Sequence, residues 1–295
     1  MHFKTCVITG ASSGIGRAVA AGLSRRCETV VLAARASRAL TEAGAAIRES
    51  SKIPNVLLVE ADFSELDEVW QAARRLRDSL GQIDLLVNNA GAYHSTRRVN
   101  SAGIERTLAV NYLSHFLLTQ RLLPLLKRSA EARIVNVGSD SQRYGAIHRE
   151  DLNLQRNYHG LRAYAQSKLA NYLFTREFAR RCPYANLAIF CIEPGLVRTN
   201  IGVKNSGLLH RLFWRIQLGV RSPRTPEEAA DAILRLAAAP SGRERTGRYW
   251  NKNAQETMPE LKTGEEARAQ WLWEESLRLC GIGRFFEEVA DKSVP

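Results

Sequence analysis

Short apolar runs rich in β-branched residues alternate with amphipathic segments along most of the chain. Their length and composition predict buried strands at 5–9, 29–34, 55–61, 83–89, 133–138 and 186–193. The stretches between them carry apolar residues at helical spacing and predict helices near 15–26, 37–50, 65–79, 104–128 and 161–182. Strands that are apolar throughout and are separated by helices are typical of a parallel sheet covered on both faces.

The regular alternation ends near residue 193. A loop-like segment follows over 194–223, and the pattern then predicts a helix near 226–238, a short strand at 247–250 and a helix near 265–280. No linker marks a second domain. We therefore predict a single α/β domain over 1–280 and a C-terminal tail over 281–295.

The composition is that of an ordinary globular protein, with 45% hydrophobic and 24% charged residues in a chain of 295. The net charge of +12 is scattered through the helices, which favours a basic soluble surface over nucleic-acid binding. The five cysteines form no CxxC motif, which favours a reducing compartment, and the six histidines show no metal-binding spacing. The chain enters a strand pattern at once and has no run of 18 apolar residues. We expect a cytoplasmic protein, with peripheral membrane association as the alternative.

A glycine-rich turn, TGASSGIG, joins the first predicted strand to the first predicted helix. Its three glycines would allow a sharp turn, a close approach of a dinucleotide pyrophosphate and tight contact between helix and strand. The helix N-terminus would add free N–H groups for the phosphates. A flexible loop without function is the alternative. The cofactor contacts predicted here are Gly10, Ser12, Ser13, Gly14, Ile15 and Gly16.

The end of the second predicted strand reads LAARASR and lacks the carboxylate that binds the ribose of NAD. Arg35 stands there instead, and a guanidinium can pair with the 2′-phosphate of NADP. This predicts NADP(H) as the cofactor, unless Arg35 is only a solvated helix start. Asp62 and Phe63 follow the third strand and are expected near the adenine, although Asp62 would equally suit a helix cap.

Short motifs then recur in order along the chain: TGASSGIG, NNAG at 88–91, the asparagine of VNYLSHF, the serine of IVNVGS, YAQSK at 164–168 and PGLVRT at 194–199. Over about 4–250 the chain resembles the short-chain dehydrogenase/reductase family. It is most similar to retinol-dehydrogenase-like members in SKLANYLFTREFARR, VNYLSHFLLTQRLLP and EPGLVRTN. The resemblance implies a doubly wound Rossmann fold with seven parallel strands. Gly138 departs from relatives that often carry serine there, which leaves Ser141 as an alternative to Ser139.

Tyr164 and Lys168 stand four residues apart in the helix predicted over 161–182, so they share one face. A nearby ammonium would lower the phenol pKa from its usual value of about 10 and suit Tyr164 to acid–base work. Taken alone, the pair also describes an ordinary helix surface. The resemblance implies that Tyr164 is the general acid and base, and that Lys168 also holds the nicotinamide ribose. It further implies that Ser139 binds the substrate oxygen and that Asn111 positions a water in a proton relay.

Two further motifs lie at the carboxyl ends of predicted strands, where parallel sheets bind ligands. The small residues of NNAG would let the backbone pass close to the cofactor, and Asn89 can bond main chain across the sheet. By resemblance, the residues after the sixth strand meet the nicotinamide carboxamide or the pyrophosphate, although a proline–glycine pair is also a simple turn. The predicted contacts are Asn89, Ala90, Gly91, Pro194, Gly195, Val197 and Thr199.

An apolar stripe with basic neighbours occupies 206–221, within the substrate lid that the family places at about 200–223. It suits a lipophilic substrate or an anionic bilayer surface, and an ordinary packed helix is the alternative. We expect an NADP(H)-dependent oxidoreductase that interconverts a lipophilic aldehyde or ketone and its alcohol. The alternatives are a non-catalytic NADP(H)-binding sensor or scaffold and a biosynthetic tailoring ketoreductase. The resemblance also implies a homodimer or homotetramer, with a lipid-facing monomer as the alternative.

Overall fold

The computed structural model describes residues 2–51, 55–197, 223–239, 245–257, 259 and 264–287. The strands within them are β1 (Phe3–Thr9), β2 (Cys27–Ala34), β3 (Asn55–Glu60), β4 (Leu85–Asn88), β5 (Ala132–Val137), β6 (Leu187–Ile192), β7 (Tyr249–Trp250) and β8 (Glu256–Thr257). The helices are α1 (Gly14–Leu23), α2 (Arg38–Ser50), α3 (Leu66–Ser79), α4 (Ser114–Leu126), α5 (Gly160–Arg181), α6 (Pro226–Ala238) and α7 (Glu265–Leu279). A short α-turn (Arg106–Leu108) and a π-helical turn (Ala109–Leu113) lead into α4, and a 3₁₀ helix (Asp140–Tyr144) follows β5.

The described strands form one sheet in the order β3-β2-β1-β4-β5-β6-β7-β8. The first seven are parallel, which confirms the predicted seven-stranded parallel sheet of a Rossmann fold. The eighth strand, β8, is antiparallel to β7 and was not predicted, because a strand of two residues has no readable alternation. The strand order reverses between β1 and β4, and ligands of open parallel sheets bind at such a switch point, at the carboxyl ends of the strands.

Alternate side chains of the central strands enter two separate cores. On β1, Val7 belongs to the core under α3, α4, α5 and α7, whereas Cys6 and Ile8 belong to the core under α1, α2 and α6. All three side chains are fully buried. The prediction of a sheet covered by helices on both faces is therefore confirmed.

The segment predicted as one helix over 104–128 is interrupted by the π-helical turn at Ala109–Leu113. A π turn shifts the bonding ladder by one residue and often occurs at functional sites. Asn111 lies at its centre. In α4, which follows, Pro124 is the one residue that is not buried.

Residues beyond 280 pack on the first core. Ile282 and Phe285 are 7% and 3% exposed, and the Phe285 ring lies 4.8 Å from Phe116 and 4.7 Å from Trp273 between centroids. The predicted tail therefore begins with residues of the core. No helix of the described ranges is both long and apolar enough to cross a bilayer.

Candidate active site

The glycine-rich turn lies between the end of β1 and the start of α1. Gly10 and Gly14 have φ angles of 67° and 55°, a region that side chains disfavour. A Cβ on Gly16 would lie 2.5 Å from Asn89 Nδ2. Ser13, the N-cap of α1, makes no side-chain capping bond, so the first N–H groups of α1 are available to an anion. The other predicted contacts of this turn are half-buried: Ser12 and Ile15.

The predicted adenosine contacts lie at the ends of β2 and β3. Arg35 is exposed directly after β2. Asp62 accepts hydrogen bonds from Ser64 N–H at 2.9 Å and from Arg106 Nη2 at 3.2 Å, so its carboxylate fixes the loop before α3. The Phe63 side chain is 4% exposed and belongs to the core. A contact of Phe63 with the adenine would therefore be made by its main chain.

The NNAG loop after β4 is tied to the end of β1. Asn89 Nδ2 donates to Thr9 O at 2.8 Å, which confirms the predicted bond to main chain across the sheet. Thr9 Oγ1 accepts from the N–H groups of Asn89 and Ala90, each at 2.9 Å. Gly91 follows, half-buried. This bonding holds the loop against the glycine-rich turn.

The structure brings Tyr164, Lys168 and Ser139 together at the carboxyl end of β5. Lys168 Nζ is buried, donates to Val137 O at 2.8 Å and lies 5.7 Å from the centroid of the Tyr164 ring. Tyr164 is half-buried, and its ring makes an edge contact with Tyr93 at 6.2 Å between centroids. The Tyr164 phenol also hydrogen-bonds with Ser139, a contact that lowers its pKa.

Burial dominates the electrostatics of this group. It raises the pKa of the Tyr164 phenol above its ordinary value, with the Ser139 hydrogen bond acting in the opposite direction. Burial also lowers the pKa of Lys168 to about 8, opposed by nearby Cys191. The predicted lowering of the Tyr164 pKa is therefore wrong for this structure, because desolvation disfavours the phenolate more than its neighbours stabilise it. Tyr164 is protonated at neutral pH, and Lys168 is mostly a cation.

Asn111 uses its side chain to hold neighbouring segments. Its Oδ1 accepts from Ala92 N–H at 2.7 Å, and its Nδ2 donates to Ala92 O at 3.0 Å and to Ser167 Oγ at 2.9 Å. The Asn111 side chain is fully buried. It thereby links the loop after β4 to α5, close to Tyr164 and Lys168.

The packing of β6 explains why position 138 is a glycine. A Cβ at this position would lie 2.8 Å from Cys191 Sγ, and Cys191 is fully buried. Ser139 follows as the N-cap of the 3₁₀ helix and accepts from Ser141 N–H at 3.2 Å. Ser139, and not Ser141, is the serine that hydrogen-bonds with Tyr164.

Two residues next to this group had no predicted role. His115 and Asn171 are both fully buried, and each contacts a backbone carbonyl beside the site. Their spacing was a signal, since His115 lies four residues after Asn111 and Asn171 three residues after Lys168. Helical neighbours of catalytic positions share their face.

The remaining predicted residues follow β6. Pro194 is buried, Gly195 has a φ of 79°, and Val197 forms a bridge with Arg224. Thr199 and the stripe at 206–221 lie outside the described residues, as does nearly all of the predicted lid. Within the described ranges, no cluster of three or more His, Cys, Asp or Glu side chains could hold a metal ion. The five cysteines are buried thiols.

Comparison with known proteins shows the family of the chain. A family model described as short chain dehydrogenase matches residues 4–207. Retinol dehydrogenase 14 of Mus musculus is 37% identical over 294 residues, covering 96% of this chain and 87% of that protein. Retinol dehydrogenase 13 of Mus musculus is 35% identical and covers 95% of this chain and 84% of that protein.

Solved structures agree in fold. The NADPH bound carbonyl reductase from chicken fatty liver has a TM-score of 0.67 at 21% identity, covering 88% of this chain and all of that one. An alcohol dehydrogenase from the archaeon Thermococcus sibiricus has a TM-score of 0.64 at 22% identity, with the same coverage. The family model and the identity to curated relatives go further than the fold. The chain therefore belongs to the short-chain dehydrogenase family of oxidoreductases and is similar to its retinol dehydrogenases.

Proposed function

We propose that the protein is an NADP(H)-dependent oxidoreductase that interconverts a lipophilic aldehyde or ketone and its alcohol. The observation that carries this proposal is the convergence of Tyr164, Ser139 and Lys168 at the carboxyl end of β5. The names of the relatives support a retinoid-like alcohol or carbonyl as the substrate.

The residues at the β1–β4 switch point suit a dinucleotide. Gly10 and Gly16 lack the side chains that would fill the turn, and α1 offers free N–H groups to the phosphates. Arg35 is exposed at the end of β2, where a 2′-phosphate would need a cation. When bound, the nicotinamide supplies or accepts the hydride.

The side chains of the site can supply orientation and the proton. In reduction, Ser139 donates a hydrogen bond to the substrate carbonyl oxygen and holds it beside Tyr164. Tyr164, whose raised pKa keeps it protonated, donates its phenolic proton to the oxygen as negative charge develops there. The Lys168 ammonium stabilises the phenolate that remains. In oxidation, the phenolate removes the proton of the alcohol.

The proposal is tested by Tyr164→Phe, which keeps the ring and removes the proton donor. We expect kcat for carbonyl reduction to fall about 10²- to 10⁴-fold, while NADPH affinity, measured by fluorescence titration, stays unchanged. Tyr144→Phe is the matched control, because Tyr144 is 82% exposed and its change should leave turnover intact. Turnover retained by Tyr164→Phe would exclude Tyr164 as the acid.

The cofactor assignment is tested by Arg35→Ala. Loss of a charge-assisted bond to the 2′-phosphate should raise KM for NADPH roughly ten- to a hundredfold and leave KM for NADH unchanged. Arg38→Ala is the control, because Arg38 is exposed and pairs with Glu42 at 2.6 Å. A wild-type protein that prefers NADH contradicts the assignment.

A panel of carbonyls separates the proposed enzyme from its alternatives. Oxidation of NADPH in the presence of retinal, long-chain aldehydes or steroid ketones would support an enzyme of lipophilic substrates. Turnover confined to polar biosynthetic ketones would favour a tailoring ketoreductase. NADPH binding without turnover across the panel would favour a sensor or scaffold.

A further inference from the structure

A buried polar pair lies next to the site and takes no part in the mechanism above. Asn171 on α5 and His115 on α4 are both 0% exposed. Asn171 Nδ2 donates to Asn111 O at 2.6 Å, and His115 Nε2 lies 3.0 Å from Ala90 O. Buried amide and imidazole groups are tolerated where hydrogen bonds compensate their desolvation, so these two contacts account for polar residues at these positions.

The partners of this pair fix the donor of Asn171 and give the His115 ring two acceptors. A backbone oxygen only accepts, so Asn171 presents its nitrogen to Asn111 O and its oxygen to the His115 ring. The single proton of a neutral His115 ring then has two acceptors: Ala90 O, 3.0 Å from Nε2, and Asn171 Oδ1, 3.2 Å from Nδ1. Burial and the charge of Lys168 lower the pKa of His115 to about 3, which keeps the ring neutral with one donor. We assign this proton to Nε2, because the contact with Ala90 O is the shorter of the two; Nδ1 and Asn171 Oδ1 then face each other at 3.2 Å without a proton between them. Each side chain therefore contributes one hydrogen bond, directed at one backbone carbonyl.

The first of these carbonyls sets the position of α5. Asn111 lies in the π-helical turn and already donates from its side chain to Ser167 Oγ at 2.9 Å. The bond from Asn171 is a second attachment, one helical turn further along α5. Tyr164 and Lys168 lie on the same stretch of α5. The two attachments to Asn111 therefore fix the position of this stretch along the helix axis and its rotation about that axis.

The second carbonyl sets the position of the NNAG loop. Thr9 holds the N–H of Ala90 from one side, and His115 holds its carbonyl from the other. The NNAG loop and α5 are therefore both anchored to the segment 109–115.

We infer that Asn171 and His115 are positioning residues of the reaction, Asn171 for Tyr164 and Lys168, and His115 for the cofactor loop. The inference rests on the proposed function. Because the two bonds hold different segments, their losses should have different kinetic effects. Loss of the Asn171 bond should impair proton transfer, and loss of the His115 bond should impair cofactor binding.

The Asn171 bond is tested by Asn171→Ala and by Asn171→Leu, which keeps the volume but has no donor. We expect kcat to fall at least about tenfold with both, since small misplacements of reacting groups carry large rate effects. KM for NADPH should stay within about twofold. The solvent deuterium isotope effect on kcat should rise, because proton transfer becomes more strongly rate-limiting.

The His115 bond is tested by His115→Phe and His115→Gln. Phenylalanine keeps the ring but leaves Ala90 O without its donor, so KM for NADPH should rise about tenfold with kcat nearly unchanged. Glutamine can place an N–H close to the position of Nε2, so His115→Gln should restore KM to near the wild-type value. A merely structural role predicts no such rescue.

Tyr112→Phe is the matched control. Tyr112 is buried in the same π-helical turn, but its hydroxyl bonds with Ser276 on α7 at 2.7 Å, away from α5 and the NNAG loop. Its loss should leave kcat and KM unchanged. All rates are measured below the unfolding transition of each variant.

The inference is overturned if the folded Asn171 and His115 variants have wild-type kcat and KM, or if Tyr112→Phe impairs turnover as much as they do. The proposed function fails separately, through absence of NADPH-dependent turnover in the wild type or its persistence in Tyr164→Phe.

Discussion

Gly138 directly precedes Ser139, and its missing side chain is dictated by the neighbouring strand. Any Cβ there would meet Cys191 Sγ at 2.8 Å, inside the core. Relatives often carry serine at this position, and the glycine here avoids a clash with Cys191 on β6. It leaves Ser139 as the serine that bonds with Tyr164.

This contact predicts a compensating pair. Gly138→Ala should destabilise the protein by about 1–3 kcal/mol through overpacking, and should lower kcat because Ser139 moves. Adding Cys191→Ala should recover much of the free energy of unfolding, because it removes the clashing atom. Urea denaturation measures both effects. Additive losses in the double variant would contradict the contact.

Lys168 gives the reaction a pH dependence. Burial lowers its pKa to about 8, so the ammonium is present below pH 8 and is lost as the pH rises through that value. The raised pKa of Tyr164 keeps the phenol protonated over this range. We expect kcat/KM for reduction to be level below about pH 8 and to fall about tenfold per pH unit above it. A pH–rate profile with increasing activity between pH 8 and 9 would contradict this role.

At the residue scale, the sequence identified the side chains of the candidate site but not the hydrogen bonds that position them. Helical spacing placed Tyr164 and Lys168 on one face, and the family resemblance added Ser139 to them. The bonds of Asn111 to Ser167 and Asn171 join residues 56 and 60 positions apart, and periodicity does not reveal such pairs. The direction of the Tyr164 pKa was missed because depth of burial cannot be read from a helix face.

At the scale of elements, strand and helix positions followed from apolar patterning, and irregular backbone did not. The π-helical turn adds a residue to the helical hydrogen-bond ladder without disturbing the apolar pattern. The sequence therefore predicted one continuous helix over 104–128. The apolar pattern predicted α6 near 226–238, and the structure shows that the sequence TPEE caps its start. Thr225 Oγ1 accepts from Glu228 N–H at 3.2 Å, and Glu228 Oε2 accepts from Thr225 N–H at 2.8 Å.

This capping box makes a prediction for α6. Thr225→Ala removes the acceptor for Glu228 N–H and should lower the free energy of unfolding by about 1 kcal/mol. Glu227→Ala is the control, since Glu227 lies in the same turn but outside the box. A denaturation midpoint shifted by Thr225→Ala, with an unchanged slope, would confirm the cap. Equal shifts in the two variants would contradict it.

At the scale of the whole molecule, the two-sided sheet was readable because its strands are apolar on both faces. The residues that complete the first core could not be predicted from the sequence. GIGRFFEEVADKSVP has no helical or strand period, yet Ile282 and Phe285 from it belong to this core, and the Phe285 ring packs on Phe116 and Trp273. Only the three-dimensional path of the chain brings them there.

Phe285 should therefore be among the side chains on which stability depends most. Phe285→Ala removes a ring that is 3% exposed and should lower the free energy of unfolding by about 3–5 kcal/mol. Phe286→Ala, next to it and only half-buried, should have a smaller effect. Thermal or chemical unfolding measures the difference. Equal losses in the two variants would show that Phe285 does not close the core.

Phe285 also comes after every described strand and helix in chain order. Ribosomes add about 5–20 residues per second, so Phe116 and Phe174 emerge on the order of ten seconds before the ring that covers them. Until Phe285 has been synthesised, these aromatic side chains lack the ring that covers them. A chaperone or another nascent chain can bind them during that interval.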